Sequence, residues 1–297
     1  MTMVTDGDAG GIGQGIRAPV PCRLCGADST PMFELRLMGR HQAGFFQCTG
    51  CGSMQTEQPY WLAEAYADPR PLTDVGIVAR NMDLSMRVDL ILSMLGVGAD
   101  ALCLDWAGGN GLFARMMRDR GWNVFLHEPY TPNFYVPFHS AELAGLERAD
   151  VVTAFEVLEH LPEPARDTEA LFAFDPDILI VTTELYAGQD RSWYYFGEDN
   201  GQHVFFYTRK ALELIARRHG RGLITAGSMH FLLRARPLRC AYGMAEIRAL
   251  ADLLGDPDRF HARAMERMSD HMRHPFRHAL HDHQEILGRL QAGEKPA

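Results

Sequence analysis

The chain has 297 residues, 46% of them hydrophobic, with a formal net charge of −9 from 38 acidic and 29 basic side chains. That length suits one large domain or two smaller ones, and the acidic balance argues against a surface built for long nucleic acid, where phosphate contacts supply most of the affinity. No apolar run approaches the ~18 residues of a membrane span, and no basic segment followed by an apolar one opens the chain, so a cytoplasmic protein is expected.

Residues 1–20 are glycine-rich and poor in apolar side chains, and they read as a disordered leader. Residues 21–55 hold Cys22 and Cys25, then Cys48 and Cys51: two C-x2-C pairs separated by 22 residues. Each pair can turn two thiolates inward, and four thiolates complete a tetrahedral zinc site. With all four positions taken by protein, such a zinc is structural. It supplies folding energy that so short a segment cannot bury as apolar surface. Residues 32–37 and 44–47 read as short strands between the pairs, which makes this module a zinc ribbon. Residues 56–80 form a connector carrying Pro59, Tyr60 and Trp61.

Residues 81–96 carry apolar side chains at helical spacing, with Asn81 as a cap and Gly96 as a stop. From residue 101 strands and helices alternate: strands near 101–105, 122–126, 150–155 and 177–183, and helices near 112–120, 164–172 and 208–218. Two more strands fall near 223–226 and 230–234. This order predicts an α/β fold with a doubly wound, mostly parallel sheet over residues 81–235. Residues 236–297 read as a helical extension broken near Gly255–Pro257 and at Pro275. His271, His274, His278 and His281 would share one helix face if Pro275 left the helix intact. A polar face or a self-association surface is expected there.

Leu102 to Gly111 read as a buried strand, an acid, and a glycine turn opening a helix. Gly109, Gly111 and Ala114 satisfy G-x-G-x-x-A, and Glu128 ends the next strand, where a carboxylate can take ribose hydroxyls. Both features suit NAD and S-adenosylmethionine alike. Asp105 favours the second, because an acid just before the turn can face the ammonium group of a methionine moiety and would repel a pyrophosphate.

Asp150 to Leu161, with Phe155, Glu156, Glu159 and His160, resembles the post-strand segment of class I S-adenosylmethionine-dependent methyltransferases, D-h-V-x-x-x-E-V-h-E-H-h with h apolar. Residues 105–111 resemble that family's D-x-G-x-G-x-G motif, with Ala107 standing at its first glycine. The resemblance implies a Rossmann-like methyltransferase domain. It makes Asp105, Ala107, Gly108, Gly109, Gly111, Glu128, Phe155, Glu156 and His160 the cofactor-binding residues. The cysteine pairs and Gln202–Tyr207 are similar to the N-terminal zinc module and H-x-x-Y-F segment of sugar-modifying C-methyltransferases, which places His203 at the active site. That family's Tyr-His-Glu before the histidine is replaced by Asn200-Gly201-Gln202, and its large C-terminal domain is absent.

His203 is the first candidate for a base, since histidine titrates near neutrality. Glu184 and Tyr186 follow the apolar strand at 177–183, on the side where open parallel sheets bind ligands, and join it as substrate-side candidates. The expected activity is methyl transfer from S-adenosylmethionine to a small acceptor such as a sugar nucleotide or natural-product intermediate. The rivals are an RNA methyltransferase gripping nucleic acid through its zinc module, an NAD-dependent oxidoreductase, and a binding module with a vestigial cofactor site.

Overall fold

The structure, a computed structural model, describes residues 18–67 and 75–296. The leader expected over residues 1–20 therefore lies outside the described residues up to position 17, as does part of the expected connector.

The N-terminal module is an antiparallel sheet of β1 (Val20–Pro21), β2 (Asp28–Leu37), β3 (His41–Cys48) and β4 (Met54–Thr56). The two cysteine pairs sit at the turns of this sheet, one after β1 and one after β3. A short helix, α1 (Leu62–Ala65), follows β4, and α2 spans Ile77–Met94. Helix α2 starts four residues before Asn81, whose side chain donates back to the Ile77 carbonyl at 2.8 Å. Asn81 thus lies in the second turn of the helix and is not the cap expected from the sequence.

The second sheet begins with β5 (Leu102–Trp106), α3 (Leu112–Asp119), β6 (Asn123–His127), β7 (Val151–Phe155), α4 (Pro164–Phe172) and β8 (Ile178–Thr182). After β9 (Phe205–Phe206) and α5 (Arg209–Arg218), the hairpin β10 (Arg221–Ala226) and β11 (Met229–Arg234) completes it. The strand order is β10-β11-β8-β7-β5-β6. Strands β6, β5, β7 and β8 run parallel, while β11 and β10 are antiparallel, so the sheet is mixed at one edge. All five residues of β8 are buried, the pattern of a strand covered on both faces.

One face buries Cys103, Val151, Ile178 and Ile180 against α2 and α3. The other buries Leu104, Val152, Leu179 and Val181 against α4 and α5, together with Cys22, Cys48 and Cys51 of the N-terminal module. Chain order reverses between β5 and β7, which opens a crevice above their carboxyl ends. Strand β9, inside the stretch expected to belong wholly to the cofactor domain, instead pairs with β4, Met54 opposite Phe206 and Gln55 opposite Phe205. The two modules therefore share a hydrogen-bonded ladder.

The C-terminal helices α6 (Met244–Leu254), α7 (Pro257–Met272) and α8 (Arg277–Gln291) pack back onto the same domain. Leu250, Leu253, Phe260 and Ala264 join the core on the α2 face. Buried Asp89 of α2 accepts from Trp122 Nε1 at 2.8 Å, Arg267 Nε at 2.8 Å and His271 Nε2 at 3.0 Å. Asp282 of α8 is held by Arg118 through two bonds of 2.8 Å and by Arg115 at 2.8 Å. Burial pushes the Asp282 carboxyl up, but the two guanidiniums outweigh it and hold it at about 2. Pro275 does break the helix: His271 ends α7 against Asp89, whereas His278 in α8 packs beside Gly121, where an added Cβ would sit 2.7 Å from the imidazole. The histidines therefore do not form one face. No helix among the described residues is long and apolar enough to cross a membrane.

Candidate cofactor and acceptor site

A cleft of about 440 Å³ opens at the crevice between β5 and β7. Its floor is the turn after β5, namely Asp105, Ala107, Gly108, Gly109 and Asn110. Its walls are Ile77, Arg80, Asn81 and Leu84 of α2 on one side and Phe155, Glu156 and His160 on the other; Asn200, Gln202 and His203 close the far end.

Asp105 is 1% exposed. Its Oδ1 accepts from Thr153 Oγ1 at 3.0 Å, while its Oδ2 is buried without a hydrogen-bond partner. Burial raises its carboxyl to about 7, against the Thr153 hydrogen bond that lowers it. Gly108 lies directly over that oxygen: a Cβ there would stand 2.0 Å from Asp105 Oδ2, so only glycine lets the backbone close over the acid. At Ala107 the φ angle is +56°, the left-handed region that suits glycine. Its N–H donates to the His127 carbonyl at 2.7 Å, which ties the turn to β6.

Phe155 meets Phe113 edge to face at 4.8 Å between centroids, giving the cleft a flat apolar wall. Glu156 also takes positive φ, +55°, and is pinned by Thr182: its N–H donates to Thr182 Oγ1 at 2.9 Å, and that hydroxyl donates to Glu156 Oε1 at 2.7 Å. The Leu158–His160 turn that follows carries Glu159 inward, fully buried, with no hydrogen-bond partner on either carboxylate oxygen. Burial, and then the neighbouring Glu156, push the Glu159 carboxyl up to about 8, against the nearby Tyr195 and Thr183 hydroxyls, which lower it.

Two histidines mark the far end, their rings crossing edge to face with centroids 4.8 Å apart. His160 Nδ1 lies 2.9 Å from the Tyr66 hydroxyl and 3.2 Å from the Gln202 carbonyl. His203 Nδ1 lies 2.6 Å from the Tyr195 carbonyl, so Nδ1 carries the proton and Nε2 keeps its lone pair. Desolvation lowers both imidazoles, His160 to about 3 with a further push from His203. This end is clamped by the N-terminal module. Trp61 Nε1 donates to the Gly201 carbonyl at 2.8 Å, Gln202 Nε2 to the Ala65 carbonyl at 2.9 Å, and Arg23 to the carbonyls of Val204 at 2.6 Å and Pro162 at 2.9 Å.

The structure thus brings Asp105, Ala107, Gly108, Gly109, Phe155, Glu156, His160 and His203 to one cleft. Other predicted residues fall outside its lining. Gly111 caps α3 at φ +84°, where a Cβ would meet Val136 Cγ2 at 2.8 Å. Glu128 turns both oxygens to backbone, accepting from Gly109 N at 3.1 Å, Tyr130 N at 2.8 Å and Thr131 N at 3.1 Å. Tyr186, expected on the substrate side, is buried among Trp193 and Phe196 and does not line the cleft. Glu184 is half-buried beyond β8, near Tyr194, and likewise does not line the cleft. The sequence assigns no role to Tyr66 or Gln202, and Glu159 figures there only as the second acid of the E-V-h-E-H run.

The second cluster is sulfur. Sγ atoms of Cys22, Cys25, Cys48 and Cys51 all lie within 4.8 Å of one another, with Cys22–Cys51 at 3.7 Å and Cys25–Cys48 at 3.4 Å. Disulfide sulfurs would be ~2.05 Å apart, whereas four thiolates ~2.3 Å from one zinc stand roughly 3.8 Å apart. The N–H groups of Gly50 and Cys51 donate to Cys48 Sγ at 3.2 and 3.3 Å. A Cβ at Gly50 would fall 2.7 Å from Ala27 Cβ and 3.3 Å from Cys25 Sγ, so glycine lets the turn wrap the sulfurs closely. The donor set fits a tetrahedral thiolate metal.

Residues 79–225 match a family described as "Methyltransferase domain". That match spans just under half of the chain and supports a class I S-adenosylmethionine-dependent methyltransferase. Solved structures similar to it include an O-methyltransferase family protein from Burkholderia thailandensis, 16% identical over 60% of this chain and 64% of that one, with a TM-score of 0.38. Less than two thirds of that protein thus has a counterpart here. A 1,6-didemethyltoxoflavin N1-methyltransferase from the same organism, with 1,6-didemethyltoxoflavin and S-adenosylhomocysteine bound, is 15% identical over 68% of this chain and 96% of its own, with a TM-score of 0.39. Magnesium protoporphyrin IX methyltransferase from Synechocystis PCC 6803 is 15% identical over 58% and 90%, with a TM-score of 0.35. No curated protein matches the chain in sequence. The domain match carries this likeness, and the glycine turn over Asp105 is in keeping with it.

Proposed function

We propose that this chain transfers the methyl group of S-adenosylmethionine to a small-molecule acceptor, with a sugar nucleotide or natural-product intermediate as the favoured class. The observation that carries the reading is the unpartnered Asp105 oxygen beneath the Gly108 turn, in the same cleft as His203. A buried carboxylate oxygen without a partner is costly, and an ammonium group offers it charge and hydrogen bonds together.

When bound, S-adenosylmethionine supplies a methyl on a sulfonium that an electron-rich acceptor atom displaces in line. In this reading Asp105 holds the ammonium end of the donor, and the Ala107–Gly109 backbone approaches it closely. Phe155 and Leu112 give it flat apolar surface, and Glu128 reaches its ribose by exchanging a backbone bond. Glu156 and His160 stand between the donor and the far end. His203, its proton fixed on Nδ1, presents Nε2 to the acceptor as hydrogen-bond or proton acceptor. Glu184 and Tyr186 can act on an acceptor only if the segment carrying them moves. The Cys22–Cys25–Cys48–Cys51 set holds one structural Zn2+, and through Arg23 and Trp61 it fixes the loop that carries His203.

Titration calorimetry with S-adenosylhomocysteine on zinc-replete protein, with NAD as control, tests the donor. Heat with the first and none with the second is expected, and the reverse overturns the reading. His203→Ala should keep the affinity for S-adenosylhomocysteine within about threefold while turnover falls about 10²–10⁴-fold, the usual range for a lost acid–base group.

A further inference from the structure

We infer that Glu159, His160 and His203 form a second metal site, taking one divalent first-row ion at the acceptor end of the cleft. The ligand atoms of these three residues lie within 4.8 Å of one another. Bound to a single ion at ~2.1 Å each they would stand roughly 3.0–3.5 Å apart, which needs only small side-chain rotations.

Three independent features converge there. Glu159 is fully buried, and neither carboxylate oxygen has a partner at hydrogen-bond geometry, the hydroxyls of Tyr195 and Thr183 being the donors that face it. A buried carboxylate left so is expensive unless a cation or a proton completes it. The imidazoles of His160 and His203 stand within 4.8 Å of it, and neither has a hydrogen bond to it. Each imidazole is also prepared as ligands commonly are, with Nδ1 tied to an outer group: Gln202 carbonyl and Tyr66 hydroxyl for His160, Tyr195 carbonyl for His203. Finally, His160 and His203 of the trio line the cleft, so an ion held there would keep positions free for an outside ligand. Two imidazoles and one carboxylate with open positions suit a borderline divalent ion. The cysteine cluster, with four soft donors and no open side, does not compete for the same metal.

The site rests on the methyl-transfer reading for its use, and it changes His203 from proton acceptor to ligand. It also names the acceptor class: an oxygen acid such as a phenol, enol or hydroxyl, able to share the ion. The acceptor O–H gives its proton to water, and its oxygen lone pair forms the bond to the methyl carbon. The C–S electron pair stays on sulfur as a neutral thioether, and one proton is released per methyl transferred.

The experiment is Mn2+ titration followed by electron paramagnetic resonance, on full-length protein whose zinc content is tracked by mass spectrometry. S-Adenosylhomocysteine calorimetry runs in parallel as the check on folding. One Mn2+ per chain with zinc retained is expected, weakened at least about tenfold in Glu159→Gln and in His203→Asn. Methyl transfer to a catechol or enol probe should rise with Mn2+ and fall with its removal. No uptake, or uptake that neither variant weakens, overturns the site. Should Glu159→Gln fail to bind S-adenosylhomocysteine, His160→Asn decides in its place. Mn2+ uptake without S-adenosylhomocysteine binding would sink the methyl-transfer reading and leave the metal site standing. The opposite pattern would remove the metal alone.

Discussion

The cysteine cluster and the cleft place polar groups in the interior in opposite ways. Around the sulfurs the groups answer one another: four thiols meet, Gly50 and Cys51 donate to Cys48, and the surrounding residues join the core of the sheet. In the cleft the buried groups are left open. Asp105 Oδ2 and both oxygens of Glu159 have no partner, and Ala107 and Glu156 hold left-handed backbone. A set that completes itself stabilises a fold, whereas unmet groups at a concave surface cost stability and gain it back from a ligand. The two regions are also coupled. Arg23 sits between Cys22 and Cys25, yet it donates to the carbonyls of Pro162 and Val204, just past His160 and His203.

Cys48→Ser would break this comparison most severely. Zinc should drop from about one per chain to near none, and the N-terminal module should lose its fold, because metal binding and folding are there one free energy. Through Arg23 the loss should also reach His203, so turnover should fall further than donor affinity. Metal analysis, circular dichroism and steady-state kinetics on one sample check all three, and a folded, fully active serine variant would refute the coupling.

Next in size is Asp105→Asn, which keeps the shape of the side chain and removes its charge. Donor affinity should fall about 10–100-fold, the worth of a charge-assisted hydrogen bond. The wild-type carboxyl is raised from 3.8 to about 7 by burial, so the folded state holds a proton that the unfolded chain releases from pH 4 upward. Its contribution to stability is complete below about pH 4 and is lost as pH climbs through about 7. Donor binding runs the other way, strengthening as pH rises through 7 because the ammonium group needs the ionised acid. Calorimetry in buffers of different ionisation enthalpy should show proton release on binding near neutrality, absent in the asparagine variant.

The smallest effect sharpens the cost of the open region. Ala107→Gly at φ +56° should raise stability by up to about 1 kcal/mol, since only the alanine Cβ is penalised there. Chemical denaturation measures it. An unchanged or lower midpoint would mean that the turn pays no strain.

Much of the fold could be read in advance because its signals are local. The apolar run 178–182, the glycines after Asp105 and the breaks at Pro257 and Pro275 act through backbone geometry within a few residues. Paired cysteines are similarly legible, since two C-x2-C turns bring sulfurs inward wherever they occur. Tyr186 and Glu184 follow a strand end, which does not by itself put a side chain on the cleft lining. Only packing shows that the aromatic cluster with Trp193 and Phe196 draws Tyr186 away. The helix start at Ile77, and with it the cleft-facing place of Asn81, likewise escaped periodicity.

Sequence by itself determined the element order, the thiolate set, and the acid and glycines of the donor turn, because each depends on neighbours in the chain. Tertiary structure alone decided that β9 leaves its domain to pair with β4, that α7 and α8 fold back onto Asp89 and the Arg118 pair, and that Tyr66, Glu159, His160 and His203 meet at one end of the cleft. Those contacts span up to 182 positions, from Asp89 to His271, and the bond from Gln202 to Ala65 that clamps the far end of the cleft spans 137. Contacts of that span are fixed by which surfaces bury together, and no local pattern in the chain records them.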